Sequence, residues 1–318
     1  MGMKVWVVGA SNVDIIAKCD NPVIAADSNI GSVEKASGGV GRNIASALKA
    51  LGFEVSFFTA IADDEYGHLI RDGIASEGIE LVSEPLTGPE DRTGVYCCIF
   101  DCDGSLVCAV NDMKITQKLS SAIVLQQKDA LLSCDYVVID ANLPIETIRA
   151  IASLDVKLVA DCVSSIKALK LSEVLESIYL LKANFLEACT LAEVEGSEPD
   201  EETLQTIMEA LVAKGLRRAI ISLGAKGAFC YEVSGTGTGT RGYEAPIAEG
   251  LEVVSTNGCG DVLLAGFLRA LADGLPMEDA MDYGRMASGI NAQSMVAVSP
   301  QLSYENVKKR MEKNEQIS

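Results

Sequence analysis

The clearest candidate for a catalytic site is Ser255-Thr-Asn-Gly-Cys-Gly-Asp261, which precedes a run with the period of an apolar helix. Gly258 and Gly260 free the backbone on either side of Cys259, so consecutive N–H groups at the helix start can converge on an anion. Asp261 would lie in the first turn, where the helix dipole favours an ionised carboxylate. Such a carboxylate is suited to deprotonating an alcohol that attacks a phosphoryl group. An aspartate at this place is often only a partner of the dipole, but its coincidence with the motifs below favours catalysis.

Two further segments can bind the hydroxyl groups of a sugar. Ser37-Gly-Gly-Val-Gly-Arg-Asn43 contains Gly39 and Gly41, which let a ligand approach the backbone, and ends on an amide that donates and accepts hydrogen bonds. In Asn12-Val-Asp14 the two polar side chains point to the same side of an extended chain, where they can hold neighbouring hydroxyls. An ordinary strand-to-helix turn and an ordinary strand end are the alternatives for these segments.

Two turns that follow strand-like runs are candidates for binding a nucleotide and its metal. Asn184-Phe-Leu-Glu187 has the spacing of a capping box, and Glu187 could also hold Mg²⁺ while phosphate oxygens complete its shell. Ser222-Leu-Gly-Ala-Lys-Gly227 is a glycine turn of a kind that can line a nucleotide, although alone it is unremarkable. The Gly/Thr-rich segment 234–240 lacks the Lys-Ser/Thr end of a phosphate-binding loop, which favours a flexible hairpin connection.

The charge and the single histidine exclude several classes of activity. The 318 residues include 26 Lys+Arg and 45 Asp+Glu, for a formal charge of −19. This balance argues against nucleic acid or an anionic membrane as a partner. His68 lies in a polar helical start, which indicates a surface residue. Sites built on several zinc-bound histidines are therefore excluded, and a catalytic histidine would have to be His68, which reads as a surface residue rather than a base.

The cysteines and the first residues indicate a cytoplasmic protein. The ten cysteines are scattered without a Cys-x-x-Cys pair, as expected for reduced thiols. The sequence leads directly into the strand-like run 4–9 without the basic segment of a signal peptide, and no apolar stretch is long enough to cross a bilayer.

The segments between the motifs predict a mainly parallel sheet with helices on both faces. Helix-period segments at 43–51, 67–77 and 201–214, each closed by a glycine, alternate with short apolar runs. The strand-like runs are 5–8, 55–58, 95–100, 106–110, 136–139, 157–159, 178–181 and 219–222. The third and fourth are joined by Asp-Cys-Asp-Gly, which indicates an antiparallel hairpin. Together with the non-helical segment 17–34, this hairpin predicts a small β flap over one edge of the sheet.

In order and type, these motifs resemble the ribokinase-like (PfkB) family of carbohydrate and nucleoside kinases, and the resemblance extends over nearly the whole chain. Ala-Asp-Asp-Glu-Tyr-Gly at 62–67 adds to the segments already described. The resemblance implies an α/β fold, with a mainly parallel central sheet flanked by helices on both faces. It also implies one ribokinase-like domain over residues 1–318, with a β lid formed by residues of about 15–36 and 93–112.

The resemblance further implies roles for individual residues. Asp261 would be the general base, and the amides of Gly258, Cys259 and Gly260 would bind the transferring phosphoryl group. ATP would lie along Asn184, Ser222, Gly224 and Gly227, and Mg²⁺ would be placed by Asn184 and Glu187. The ribose would contact Asn12, Asp14, Gly39, Gly41 and Asn43, and the base would lie near Asn111, Asp112 and Lys167. The family usually has Ala in place of Cys259, and we expect this difference to be tolerated because the loop binds through backbone amides.

Segments 104–113, 161–167 and 181–184 are most similar to pseudouridine kinases, which implies phosphorylation of the 5′-hydroxyl of pseudouridine. The alternatives are a kinase for another ribose-like sugar or nucleoside, such as ribose, fructose or adenosine, and a non-catalytic ligand-binding regulator with the same fold. The implied cofactors are ATP and Mg²⁺, and activation by a monovalent cation is left open. The partners would be small molecules, with a homodimer through the lid as an option because exposed strand edges can pair.

Overall fold

The computed structural model describes residues 2–83, 85–196, 198–234, 239–245 and 253–315. Its strands are β1 (Lys4–Val8), β2 (Asn12–Cys19), β3 (Gly31–Gly38), β4 (Glu54–Phe58), β5 (Glu80–Leu81), β6 (Gly94–Phe100), β7 (Leu106–Asp112), β8 (Tyr136–Asp140), β9 (Leu158–Asp161), β10 (Ile178–Asn184), β11 (Arg218–Ser222), β12 (Ala228–Ser234) and β13 (Gly239–Ala245). Its α-helices are α1 (Val40–Ala50), α2 (Glu65–Ser76), α3 (Ser121–Leu125), α4 (Lys128–Leu132), α5 (Ile145–Ala152), α6 (Ser165–Ala168), α7 (Phe185–Ala192), α8 (Glu201–Ala213), α9 (Cys259–Ala272), α10 (Met277–Asn291) and α11 (Tyr304–Glu315).

The central sheet is mainly parallel, as predicted. Within the described residues its order is β13-β12-β11-β10-β9-β8-β1-β4-β5. Neighbours from β11 to β5 run parallel, and β12 and β13 add an antiparallel hairpin at one edge. The strand-like runs predicted from the sequence do not include β5, β12 or β13. Most of the hairpin connection predicted at 234–240 falls on residues 235–238, which lie outside the described residues.

Helices cover both faces of this sheet. Alternate residues of β1 belong to different apolar clusters, with Trp6 and Val8 in one and Val5 and Val7 in the other. The first cluster includes residues of α5, α7 and α8, and the second includes residues of α1, α2, α9 and α10. Strands buried on both faces read as continuous apolar runs, which explains why the sequence located them. None of the helices in the described part of the chain is long and apolar enough to span a bilayer.

A second sheet, which we call the lid, has the order β3-β2-β6-β7. The predicted hairpin is confirmed, because β6 and β7 pair antiparallel. β2 and β3 form another antiparallel pair, whereas β2 and β6 run parallel. β2 begins at Asn12, three residues before the predicted boundary of the lid, so Asn12 and Asp14 belong to the lid.

Candidate active site

Several of the predicted motifs converge at the carboxyl ends of the parallel strands. Asn184 and Ser222 are register partners at the ends of β10 and β11. Asp140 and Asp161 are register partners at the ends of β8 and β9. The crevice outside the carboxyl ends is the usual place for ligands in an α/β sheet.

Asp261 lies in the first turn of α9 and is only 7% exposed. Its Oδ2 accepts a hydrogen bond of 2.9 Å from Asn43 Nδ2. Arg42 Nη1 donates to Asn43 Oδ1 at 3.0 Å, which turns the Nδ2 of this amide toward the carboxylate. α1 begins at Val40, three residues before the predicted start, so Asn43 projects from within the helix.

The surroundings of Asp261 raise the pKa of its carboxyl group to near neutral. Burial, and after it the negative charge of Asp161, raises the pKa of Asp261 to about 7. Lys182 and the hydrogen bond from Asn43 act in the opposite direction. A carboxyl group with this pKa can accept a proton from an alcohol and release it at physiological pH.

The loop before Asp261 presents backbone N–H groups. Gly258 has φ of +70°, and a Cβ at this position would overlap the carbonyl of Ala297. The N–H of Cys259 donates to the Thr256 carbonyl at 3.2 Å, within the loop itself. No side chain caps the N-terminus of α9 in the described residues, which leaves the first-turn amides that follow Cys259 for a ligand.

Lys182 lies beneath this loop and is not among the site residues predicted from the sequence. A Cβ on Gly260 would be 2.8 Å from Lys182 Nζ, and the same Nζ lies 3.0 Å from Asp161 Oδ2. Burial alone would lower the pKa of Lys182, but the charges of Asp161, Asp261 and Glu187 outweigh it and raise the pKa above its usual range. The ammonium group therefore keeps its positive charge at the base of this loop, which we call the anion-binding loop after its predicted role.

A cavity of about 240 Å³ lies between the lid and the carboxyl edge of the central sheet. Its lining includes seven predicted residues: Asn12, Asp14, Gly39, Asn43, Asn111, Lys167 and Asp261. The other lining residues are Val40, Tyr96, Met113, Asn142, Val163 and Asn257. Its volume is below the usual range for drug-sized ligands, which fits a small metabolite. We call it the acceptor cavity.

The lid contributes a polar row to this cavity. Asn12 Nδ2 donates to Asp14 Oδ1 at 2.6 Å, so the two predicted side chains act as a pair. Asp14, Tyr96 and Asn111 are register partners across β2, β6 and β7, which places them on one face of the lid. Neighbouring strands lie about 4.8 Å apart, so Asn111 is about 10 Å from Asp14. The row is longer than a sugar ring.

The loops after β8 and β9 form another wall of the acceptor cavity. Lys167 Nζ donates to Asn142 Oδ1 at 2.6 Å. The N–H of Asn142 donates to Asp140 Oδ1 at 2.8 Å, which fixes the start of this loop. Burial lowers the pKa of Lys167, while the charge of Asp140 raises it. This wall offers an ammonium and an amide to polar atoms of a ligand.

Two predicted substrate residues do not line the cavity. Asp112 follows Asn111 in β7, and adjacent residues of a strand point to opposite faces, so its carboxylate pairs with Lys114 at 3.5 Å instead. The N–H of Gly41 donates to the buried Asp140 Oδ2 at 2.9 Å. Gly41 therefore supports the site from below, and a Cβ there would lie 2.9 Å from backbone atoms of Gly9.

The predicted nucleotide and metal residues lie beside β10 and β11. Asn184 and Glu187 form a complete capping box, with hydrogen bonds of 2.7 and 2.9 Å, so the structural interpretation of this motif is confirmed. Glu187 is 2% exposed, and burial raises its pKa while Lys182 lowers it. Gly224 and Gly227 have φ of +61° and +98°, as the tight turn after Ser222 requires.

Sequence reasoning did not assign functions to several site residues. Asp140, Asp161 and Lys182 end or interrupt buried apolar strands, and a charged residue at the end of such a strand is the signal that could have found them. Tyr96, Asn142 and Val163 carry no comparable signal, because only the fold brings them to the cavity. His68 is exposed, as predicted, and its Nε2 lies 2.8 Å from Asp63 Oδ1.

Comparison with known proteins extends over most of the chain. The model of the pfkB family of carbohydrate kinases matches residues 3–303. Pseudouridine kinase from Escherichia coli is 29% identical over 305 residues, which cover 95% of each chain. The structure of a carbohydrate kinase from Agrobacterium tumefaciens has a TM-score of 0.81 and 28% identity, with 96% of each chain covered. Arabidopsis thaliana ribokinase, solved with ribose and ATP, shares the fold, with a TM-score of 0.82 and 21% identity over 97% of this chain and 98% of that one.

Proposed function

Because the chain belongs to the pfkB family of carbohydrate kinases, we propose that it transfers the γ-phosphoryl group of ATP to the 5′-hydroxyl of pseudouridine. Membership of this family makes the chain a phosphotransferase with an alcohol group as acceptor. Pseudouridine kinase from Escherichia coli, which is 29% identical to this chain, supports pseudouridine as the acceptor.

The observation that carries the proposal is the length of the acceptor cavity. Asp261, Asn43, Asn12 and Asp14 provide the base and the hydroxyl ligands that a pentose needs. The cavity continues along the lid, and its other wall carries the hydrogen-bonded pair of Lys167 and Asn142. Polar groups beyond the sugar site favour a nucleoside over ribose or fructose. The ammonium of Lys167 suits the carbonyl oxygens of a uracil ring.

In the proposed reaction, Asp261 accepts the proton of the 5′-hydroxyl as the oxygen attacks the γ-phosphorus and the bond to ADP breaks. Asn43 holds the carboxylate in place through its 2.9 Å hydrogen bond. The first-turn amides of α9 face the transferring group and stabilise its negative charge, and Lys182 adds a positive charge below them. The arrangement supplies a base and an anion site without a histidine.

The residues near Glu187 fit a nucleotide-borne Mg²⁺. No three His, Cys, Asp or Glu side chains converge on a metal site in the described ranges. Mg²⁺ usually binds through one or two carboxylates together with phosphate oxygens and water, so one buried carboxylate beside an exposed Asn184 is sufficient. The bound ion would neutralise phosphate charge, and Ser222, Gly224 and Gly227 would contact the nucleotide.

A panel of acceptors tests the substrate. ADP release is measured with pseudouridine, uridine, adenosine, ribose and fructose at saturating Mg-ATP. We expect kcat/KM to be highest for pseudouridine, and phosphorus NMR to show a 5′-phosphomonoester. The matched control is 5′-deoxypseudouridine, which lacks the reacting hydroxyl and should inhibit without turnover. Fast turnover of another sugar with none of pseudouridine would refute the substrate and leave the kinase assignment intact.

The lid and the thiols support two further proposals. Val33 and Val110 lie on the lid face opposite the acceptor cavity and are 67% and 68% exposed, so we propose that two copies pair through this face. Sedimentation of wild type and of Val110→Glu tests this pairing, and a monomeric wild type would refute it. The cysteines are all free thiols, which supports a reducing compartment such as the cytoplasm.

A further inference from the structure

Val163 has a backbone conformation that a β-branched residue rarely adopts. Its φ is +65°, in the left-handed region that favours glycine. The N–H of Ser164 donates to the carbonyl of Cys162 at 2.6 Å. Val163 is therefore the central residue of a γ-turn with positive φ, the rarer and more strained of the two γ-turn forms. Strain of this kind persists only where the surroundings fix it, and it concentrates at ligand sites.

The carboxylate of Asp161 holds the turn in place. Its Oδ1 accepts the N–H of Val163 at 2.8 Å, and its Oδ2 lies 3.0 Å from Lys182 Nζ. The N–H of Cys162 donates to the carbonyl of Lys182 at 3.1 Å, which ties the turn to β10. The turn thus depends on the same two charged residues that lie beside the anion-binding loop.

The turn brings two side chains to one wall of the acceptor cavity. Val163 itself lines the cavity, and α6 starts two residues later and carries Lys167 to the same cavity. Val163 also packs against the apolar cluster on one face of the central sheet, so its side chain has a defined position. An isopropyl group offers nothing to the hydroxyls of a sugar, but it packs well against the face of a planar ring.

We propose that Val163 is a specificity-determining residue, which packs against the nucleobase and lets the acceptor cavity favour a nucleoside over a free pentose. The inference rests on the proposed nucleoside kinase activity. It accounts for a valine at a position where the backbone favours glycine: the side chain is needed in the cavity, and the Asp161 contacts offset the strain.

Two variants separate the side chain from the turn. Glycine adopts positive φ without strain, so Val163→Gly keeps the turn and removes the isopropyl group. Val163→Ala removes most of the same group but keeps the Cβ. The matched control is Ala26→Gly, because Ala26 also has a positive φ, of +62°, but lies exposed between β2 and β3. Steady-state kinetics with pseudouridine and with ribose, and calorimetric Kd values where turnover is slow, give the ratio of the two acceptors.

We expect both Val163 variants to lower kcat/KM for pseudouridine about 10-fold or more, as for the loss of an apolar contact of this size. The value for ribose and the KM for ATP should change less than about two-fold, and the control variant should match wild type. An unchanged ratio of the two kcat/KM values, whether both acceptors lose activity equally or neither does, would overturn the role of Val163. The proposed nucleoside kinase activity would not be affected by that result. A wild-type enzyme that accepts no nucleoside would overturn both proposals.

Discussion

Replacing Asp161 with Asn should move the acid limb of the pH–activity profile to lower pH. Asp161 is the largest charge that raises the pKa of Asp261, and it also neutralises the nearby Lys182. The amide removes one negative charge and leaves the ammonium to act on Asp261. Both changes favour the ionised carboxylate, so the pKa of Asp261 must fall.

The pKa of about 7 fixes the size of the expected effect. A general base works only when it is deprotonated, so kcat/KM in wild type should fall as pH drops through 7. About 9% of Asp261 is ionised at pH 6 and about 91% at pH 8, which gives an activity ratio of about 0.1. If the variant lowers the pKa by about one unit, the ratio rises to about 0.5, a five-fold change.

The assay is ADP release between about pH 5.5 and 8.5 at saturating Mg-ATP, for wild type and Asp161→Asn. Each profile is normalised to its own value at pH 8, so a general loss of activity from breaking the buried Asp161–Lys182 pair does not enter. Titration of ATP itself affects both proteins equally and cancels in the comparison. An acid limb that stays in place in the variant would refute the electrostatic account of Asp261.

Three further substitutions test other parts of the site. Asp261→Asn should lower kcat by orders of magnitude. Because the raised pKa of Asp261 costs the native state stability as pH rises from about 4 to about 7, the variant should also be more stable than wild type at pH 8, by up to about 4 kcal/mol in the free energy of unfolding, but not at pH 4, as melting temperatures at the two pH values will show. An active or less stable variant at pH 8 would contradict this assignment. Gly258→Ala places a Cβ at positive φ against the Ala297 carbonyl and should cost about 2 kcal/mol or more in thermal unfolding, with a parallel loss of kcat. Glu187→Gln should raise the Mg²⁺ concentration for half-maximal activity about 10-fold with little effect on the acceptor KM, and an unchanged Mg²⁺ dependence would remove Glu187 from the metal site.

The part of the site that the sequence predicts is the part formed by local motifs. The glycines around Cys259, the Asn184–Glu187 box and the Asn12–Asp14 pair each consist of residues close in the chain, and the structure places them as their spacing indicates. The start of α1 was predicted three residues late because its glycines look like a loop. Only Gly39 has a positive φ there, whereas Gly41 is helical and is needed for the close approach to Gly9.

The remaining residues act across long separations. Asp161 and Lys182 are on neighbouring strands, and their pairing follows from the sheet order, which a single sequence does not specify. Asn142 and Lys167 are 25 residues apart and meet only because the loops after β8 and β9 are adjacent. The absence of Asp112 from the cavity lining has a simpler cause: a strand alternates its side chains, and Asn111 is the residue that faces the cavity.

The charge balance of the site explains how an acidic protein binds an anion. Lys182 lies near three carboxylates, those of Asp161, Asp261 and Glu187. When all four side chains are ionised, this cluster has a net charge of −2. This charge repels the phosphates of ATP, and the same repulsion, added to burial, raises the pKa of Asp261. Backbone amides at the start of α9 would bind phosphate without adding a charge. A divalent cation that arrives with the nucleotide would cancel the remaining −2, so its affinity and the ionisation of Asp261 should rise together.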